Sequence, residues 1–364
     1  RGDIISIVGW SHRGSPPGAA ARHFLPSGIN RGRSFPPLLY GVGKINIRPL
    51  AWYDLPAILG TRSRVISLNK AAFLTQGNPI RLGSLLNSLA LDTPNYIAVF
   101  ELPGGRQPLY SQVLHQTGGR SAHFAFFSPD QLEDEDNLST LIDFLCFQAG
   151  EMGALNVLAD IEESHPLFER FRRAGFCVFG WESIWRFPDR PKSDPSKTSW
   201  TRPSPTDENT VRSLYQTLVP PLVQNAEPFT NGSTPRLVYK VNGEIQAYVE
   251  SLSGASGIYL VPVIHPSVDN IHALLLDLME QFQGMGRPIY LQVRSYQVWL
   301  SDTLQELGAE STPRFALLVK HLAVGQLNAI KEAQRARSDP RQAEPTAPIL
   351  NHYVNPGSGS DGVK

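Results

Sequence analysis

The sequence predicts a mixed α/β fold built as two tandem copies of one unit. Three observations carry this. An amphipathic helix pattern ending in glycine occurs at 138–153 and recurs at 271–286. A short strand-like run follows each helix, and a second glycine-ended helix follows each run. An Asn-Gly pair joins two alternating runs in RLVYKV-NG-EIQAYVE, a hairpin signature. With 364 residues the length suits about two domains, and 41% hydrophobic against 18% charged residues allows a real core.

The repeat is clearest in its second half. Leu138, Leu141, Ile142, Leu145, Ala149 and Met152 lie on one helical face before Gly153. Ile271, Leu274, Leu275, Leu278, Phe282 and Met285 do the same before Gly286, 133 positions later. The runs LNVLADI and RPIYLQV follow as strands. Leu167, Phe168, Phe171 and Ala174 then precede Gly175, as Leu300, Leu304 and Leu307 precede Gly308. A glycine at each of these ends suits a left-handed helix terminus. FCVFGWESIWRF and AESTPRFALLVKHL each predict a closing pair of strands. The front halves share an Arg-Pro step followed by an acid: Arg48-Pro49 with Asp54, and Arg202-Pro203 with Asp207. The hairpin in the first copy is NYIAVFELPGGRQPLYSQVLHQ, and that copy carries extra residues around 62–90. Each copy reads strand, helix, hairpin, strand, helix, strand, helix, strand, strand. A helix between neighbouring strands implies a parallel pair with a right-handed crossover.

The domain boundaries follow. Residues 1–44 are a low-complexity basic segment, with Arg1, Arg13, Arg22, Arg31, Arg33 and Lys44 against Asp3. It reads as a targeting segment, a disordered arm or upstream sequence foreign to the native protein. Copy one spans 45–190, a Pro-rich linker 191–199, copy two 200–324, and 325–364 a short helix and a disordered tail. A formal net charge of zero argues against a nucleic-acid partner, and no run of about 18 apolar residues spans a membrane. Cys146 and Cys177 alone exclude a disulfide scaffold and fit a cytoplasmic protein. The histidines show no ligand spacing, so no metal is expected.

The element order, the openings INIRPLAWYDLPAIL and SWTRPSPTDENTVRSLY, and the helix-to-strand passage HPLFERFRRAGFCVFG resemble the GNAT superfamily of acyl-CoA-dependent N-acyltransferases, in tandem. The resemblance implies an N-acetyltransferase that moves an acyl group from acetyl-CoA to a small-molecule or peptide amine. In that superfamily two splayed central strands hold the pantetheine arm, and a glycine-containing loop wraps the pyrophosphate at a helix N-terminus. Neither copy has those glycines. In copy one the loop SPDQLEDEDNLST is crowded by Asp130, Glu133, Asp134, Glu135 and Asp136, which oppose a pyrophosphate. In copy two VPVIHPSVDNIHALL has Asp269 as its only acid, with Arg287 and Arg294 close by. Copy two is therefore the expected cofactor site, through backbone groups of Val261 and Val263 and then Ser267, Val268, Asp269 and Asn270. The superfamily's usual acid, a tyrosine in the last helix, falls near Phe171 and Leu304 and is missing. Glu250, Tyr259 and Tyr296 remain as acid–base candidates. The other reading is a non-catalytic tandem module that has lost CoA binding. A carrier such as aminoacyl-tRNA fits the neutral charge poorly.

Overall fold

The computed structural model describes residues 46–88, 95–101, 107–116, 119–130, 135–188, 199–230, 234–283 and 285–322. The predicted N-terminal segment and C-terminal tail lie outside these residues, as do most of the linker and the acidic stretch 131–134. No helix among them is long and apolar enough to cross a membrane.

Copy one runs β1 (Asn46–Pro49), α1 (Leu55–Gly60), β2 (Ile66–Ser67), α2 (Lys70–Gln76), α3 (Leu82–Ser88), β3 (Asn95–Glu101), β4 (Leu109–His115), β5 (Ser121–Ser128), α4 (Glu135–Glu151), β6 (Asn156–Glu162), α5 (Leu167–Arg173) and β7 (Cys177–Arg186). Copy two runs β8 (Trp200–Thr201), α6 (Glu208–Leu218), α7 (Pro221–Ala226), β9 (Arg236–Val241), β10 (Glu244–Ser253), β11 (Ile258–Ile264), α8 (Ile271–Gln283), β12 (Ile289–Arg294), α9 (Ser301–Glu306), β13 (Glu310–Ser311) and β14 (Phe315–His321).

The repeat read from the sequence is present. Helices α4 and α8 hold equivalent places, each crossing between parallel neighbours, β5 to β6 and β11 to β12. Leu141, Leu145 and Leu278 are 0% exposed and Leu274 is 3% exposed. Gly153, Gly175, Gly286 and Gly308 all take positive φ, as helix-ending glycines do. In the β9–β10 hairpin, Asn242 and Gly243 have φ of 51° and 86°, the double left-handed turn the Asn-Gly pair predicts. The acid after each Arg-Pro step also has one job in both copies. Asp54 accepts from the Ala51 N–H at 2.8 Å and Asp207 from the Ser204 N–H at 2.7 Å, each capping a first helical turn.

The end of each copy departs from expectation. The described strands form one continuous sheet in the order β1-β3-β4-β5-β6-β14-β7-β12-β11-β10-β9-β8. Copy two's last strand, β14, sits between β6 and β7 of copy one, while β7 pairs with β12 of copy two. The predicted closing pair in copy one is a single strand, β7, long enough to serve both halves. In copy two the closing pair is β13 and β14, interrupted where Pro313 cannot donate to a ladder. Exchange leaves the inner edge strand of neither copy unpaired.

One core lies under α4 and α5, with Phe124, Phe127, Phe171 and Phe176 in edge and stacked contacts. A second lies under α8 and α9, and a third joins α6 and α7 to Leu158 of β6, Phe179 of β7, and Leu317 and Val319 of β14. The third core fixes the copies against each other on the sheet face opposite α4 and α8.

Candidate functional site: two gaps in one sheet

Both parallel pairs come apart partway along. In copy two the β11–β12 pairing ends at Leu260 opposite Leu291. Beyond it, Val261–Ile264 have no strand on the β12 side among the described residues. Along a strand, backbone groups alternate sides. The Ile258 N–H reaches Pro288 O on the β12 side and the His265 N–H reaches Gln246 O on the β10 side. Val261 and Val263 therefore turn their backbone toward β10, and Pro262 and Ile264 face the gap. This corrects the sequence expectation by one position: the register set by β10 uses Val261 and Val263 in the ladder.

The gap in copy two already holds an amide. Gln297, 3% exposed, sits in the 3-10 turn Ser295–Leu300 that follows β12. With its amide oriented to satisfy both neighbours, it donates to Pro262 O at 3.0 Å and accepts from the Ile264 N–H at 3.1 Å. It stands where the amide of an extended ligand would lie on that strand edge.

In copy one the β5–β6 pairing ends at His123 opposite Leu158. Here main chain fills the gap. The Leu68 N–H donates to Ala125 O and Leu68 O accepts from the Asp160 N–H, both at 2.9 Å. The peptide of Leu68 thus bridges the two strands, and its side chain is fully buried. The residues responsible belong to the insertion at 62–90.

Around the helix that follows the copy-two gap, Ser267, Asp269 and Asn270 are exposed while Val268 is 7% exposed. Asn270 accepts from the Ala273 N–H at 3.0 Å and caps α8. His265 Nδ1 lies 2.6 Å from Ser267 Oγ and 3.2 Å from the Ser267 N–H. This loop is closed by its own side chains where the superfamily uses glycines. Its first-turn amides still favour an anion.

The three acid–base candidates fare differently. Glu250 gives its carboxylate to Arg236, with Nε at 2.8 Å and Nη2 at 2.7 Å, and that guanidinium also holds Glu208. Tyr259 is 1% exposed, packed with Ile184 and Phe315, and burial raises its phenol well above the ordinary value. Tyr296 stands on the turn after β12, its phenol pushed up to about 12 by burial. It shares the field of Arg294, Glu227 and Glu182.

Of this charged cluster the sequence points only to Arg294, as a cation near the copy-two loop, and not to its carboxylate partners. Gln292 Nε2 donates to Glu182, Arg294 Nε lies 3.4 Å from Glu182, and Arg294 Nη2 lies 2.8 Å from Glu227. Burial opposes the Arg294 charge, but Glu227 and Glu182 outweigh it and hold the guanidinium firmly charged. Burial pushes Glu182 up to about 7 and also raises Asp160. Lys70, lowered by burial, feels Asp160, Glu162 and Glu182. Across the sheet, Glu162, Phe315, Glu182 and Arg294 form one row over four adjacent strands. The signal available in the sequence was charge at inward positions of otherwise apolar strands, as in LADIE and WESIW. Among the described residues no group of three or more His, Cys, Asp or Glu is placed to hold a metal.

No protein-family model matches the chain, and no curated protein sequence does. Solved structures do match in fold. A GCN5-related N-acetyltransferase from Sphaerobacter thermophilus aligns with a TM-score of 0.50 at 15% identity, over 76% of this chain and 95% of its own. A tandem GNAT protein from the clavulanic acid biosynthesis pathway aligns at 0.45 and 14% identity, over 76% and 98%. An acetyltransferase from the GNAT family of Colwellia psychrerythraea aligns at 0.40 and 11%, over 76% and 100%. The first of these, together with the splayed parallel pairs and crossover helices, shows that the chain has a GNAT-type α/β fold in tandem.

Proposed function

We propose that the chain is an acyltransferase whose working half is copy two, taking an acyl group from a pantetheine thioester such as acetyl-CoA and passing it to a small-molecule or peptide amine. The observation that carries this reading is the strand edge of β11. Pro262 C=O and Ile264 N–H point into an unpaired gap and hold an amide there, supplied by a side chain that rotamer change can withdraw. The copy-one gap is closed by main chain, so that half is read as non-catalytic.

A thioester supplies an electrophilic carbonyl carbon. The amine nitrogen attacks it, the carbon–sulfur bond breaks, one proton leaves the nitrogen and one proton returns to the thiolate. Pro262 and Ile264 hold the extended arm. Ser267 to Asn270, at the α8 N-terminus, face the phosphates, with weaker grip than a glycine loop because side chains stand between backbone and anion. In this reading Tyr296, on the turn after β12, gives the thiolate its proton. In the same reading Glu227, whose side chain is 33% exposed and is held by Arg294 at 2.8 Å, accepts the amine proton. Glu250 serves Arg236, and Tyr259 packs the sheet.

Thermal denaturation with acetyl-CoA tests this. At about 100 times the dissociation constant the ligand stabilises by roughly 2.7 kcal/mol. Ser267→Asp, an exposed change, abolishes the shift by placing a negative charge at the phosphates. Wild type without any shift would sink the reading and favour a tandem fold kept for binding alone.

A further inference from the structure

We propose that copy one's gap is a groove for an extended peptide whose ligand is the chain's own residues 66–76, and that seating of this segment is coupled to its docking on copy two. This inference stands apart from the acyl-transfer reading. The groove end is built as strand addition. Ile66 and Ser67 pair with Phe127 and Phe126, the Leu68 peptide bridges Ala125 and Asp160, and the Lys70 N–H donates to Asp160 Oδ2 at 2.9 Å. The Leu68 side chain enters the core beside Phe124 and Phe127. The occupant is therefore recognised by main chain on both sides and by one large apolar side chain, the chemistry of a bound peptide.

The segment does not end there. The Asn69 side chain accepts from the Ala72 N–H at 3.0 Å and starts α2. The far end of α2 rests on copy two's β10–β11 turn, where Thr75 O accepts from the Ser256 N–H at 2.8 Å. The turn is shaped for this approach. A Cβ at Gly254 would lie 2.3 Å from Thr75 O, and one at Gly257 would lie 2.6 Å from Leu74 O. Between the ends, Ala71 and Leu74 pack on Tyr259, Ile184 and Phe315, and Lys70 Nζ stands 4.7 Å from the Phe315 ring centre. A helix of seven residues does not hold itself in water. It persists because both ends and the packed face between them hold it, so release of either end loosens the other through that face, and the coupling must be reciprocal.

Hydrogen exchange of the full chain, read by residue, tests the coupling from both sides. Gly254→Ala, in copy two, is expected to speed exchange of the Leu68 and Asp160 amides in copy one by at least tenfold. Asn69→Ala, in copy one, is expected to speed exchange of the Ser256 amide to a similar degree. Val113 in β4 and Leu278 in α8 keep their protection in both variants. The proposal is overturned if each variant loosens only its own end. It is equally overturned if Val113 and Leu278 lose protection in step with the rest, which is global unfolding.

Discussion

Glu182 on β7 stands directly opposite Phe315 on β14, and the two are the same position in the two copies, 133 residues apart. Antiparallel pairing of equivalent strands through equivalent residues places an approximate twofold axis between them, as in a symmetric dimer built within one chain. Each strand ends its own copy and completes the other's sheet.

Neither copy is therefore expected to fold alone. A fragment of residues 45–190 lacks the strand that separates β6 from β7, and residues 199–324 lack β7 beside β12. Each fragment should show no cooperative thermal transition by circular dichroism, and a mixture should recover one. A cooperative transition in either isolated fragment would contradict the shared sheet.

The helices that revealed the repeat also carry much of its stability. Leu141 and Leu278 are fully buried in different cores, so replacing either with Ala removes packed methyl groups and leaves a cavity. Each change is expected to cost about 2–5 kcal/mol in urea unfolding. The two losses should add, because the residues share no partner. A loss below about 1 kcal/mol at either site would mean the helix face had been misassigned.

What the sequence revealed and what it concealed divide along the range of the interactions. Gly153, Gly286 and the Asn242-Gly243 turn are local signals, because backbone conformation alone demands those residues. Strand exchange has no such signal. FCVFGWESIWRF reads as strand in any arrangement, and nothing within it names β12 or β14 as partner. The gap-facing residues were missed by one because parity depends on the β10 register, which spacing alone does not set. Gln297 and Leu68 were missed because each matters through a contact with a distant strand. The acidic loop of copy one was legible as charge, but residues 131–134 lie outside the described chain.

Glu182 gives the cluster a pH signature. Burial raises its carboxyl to about 7, against Arg294, which lowers it. An unfolded chain holds this carboxyl near its ordinary value of 4.5. Between those values the folded state binds the extra proton, so this residue's contribution to stability declines as pH rises from about 4.5 to 7. Glu182→Gln keeps the shape without the titration. Relative to wild type, its unfolding free energy should therefore gain as pH rises over that interval. Parallel pH profiles for the two proteins would remove Glu182 from the account.

Gln297 separates a gap that can open from one that is merely filled. In the free protein its amide satisfies Pro262 O and the Ile264 N–H, and both groups are buried. Gln297→Ala leaves them without that partner, which is expected to cost about 1–3 kcal/mol of stability in the absence of ligand. A pantetheine amide on the same edge would restore both bonds and would no longer have to displace a side chain. Acetyl-CoA should therefore stabilise the variant more than it stabilises wild type, and titration calorimetry should show tighter binding. Leu68→Ala is the contrasting case. It removes a buried side chain but keeps the bridging peptide, so it should lower stability without creating acetyl-CoA binding in copy one. A Gln297→Ala protein that loses stability yet binds acetyl-CoA no better than wild type would show that the glutamine is a fixed part of the core, and that β11 presents its edge to no ligand.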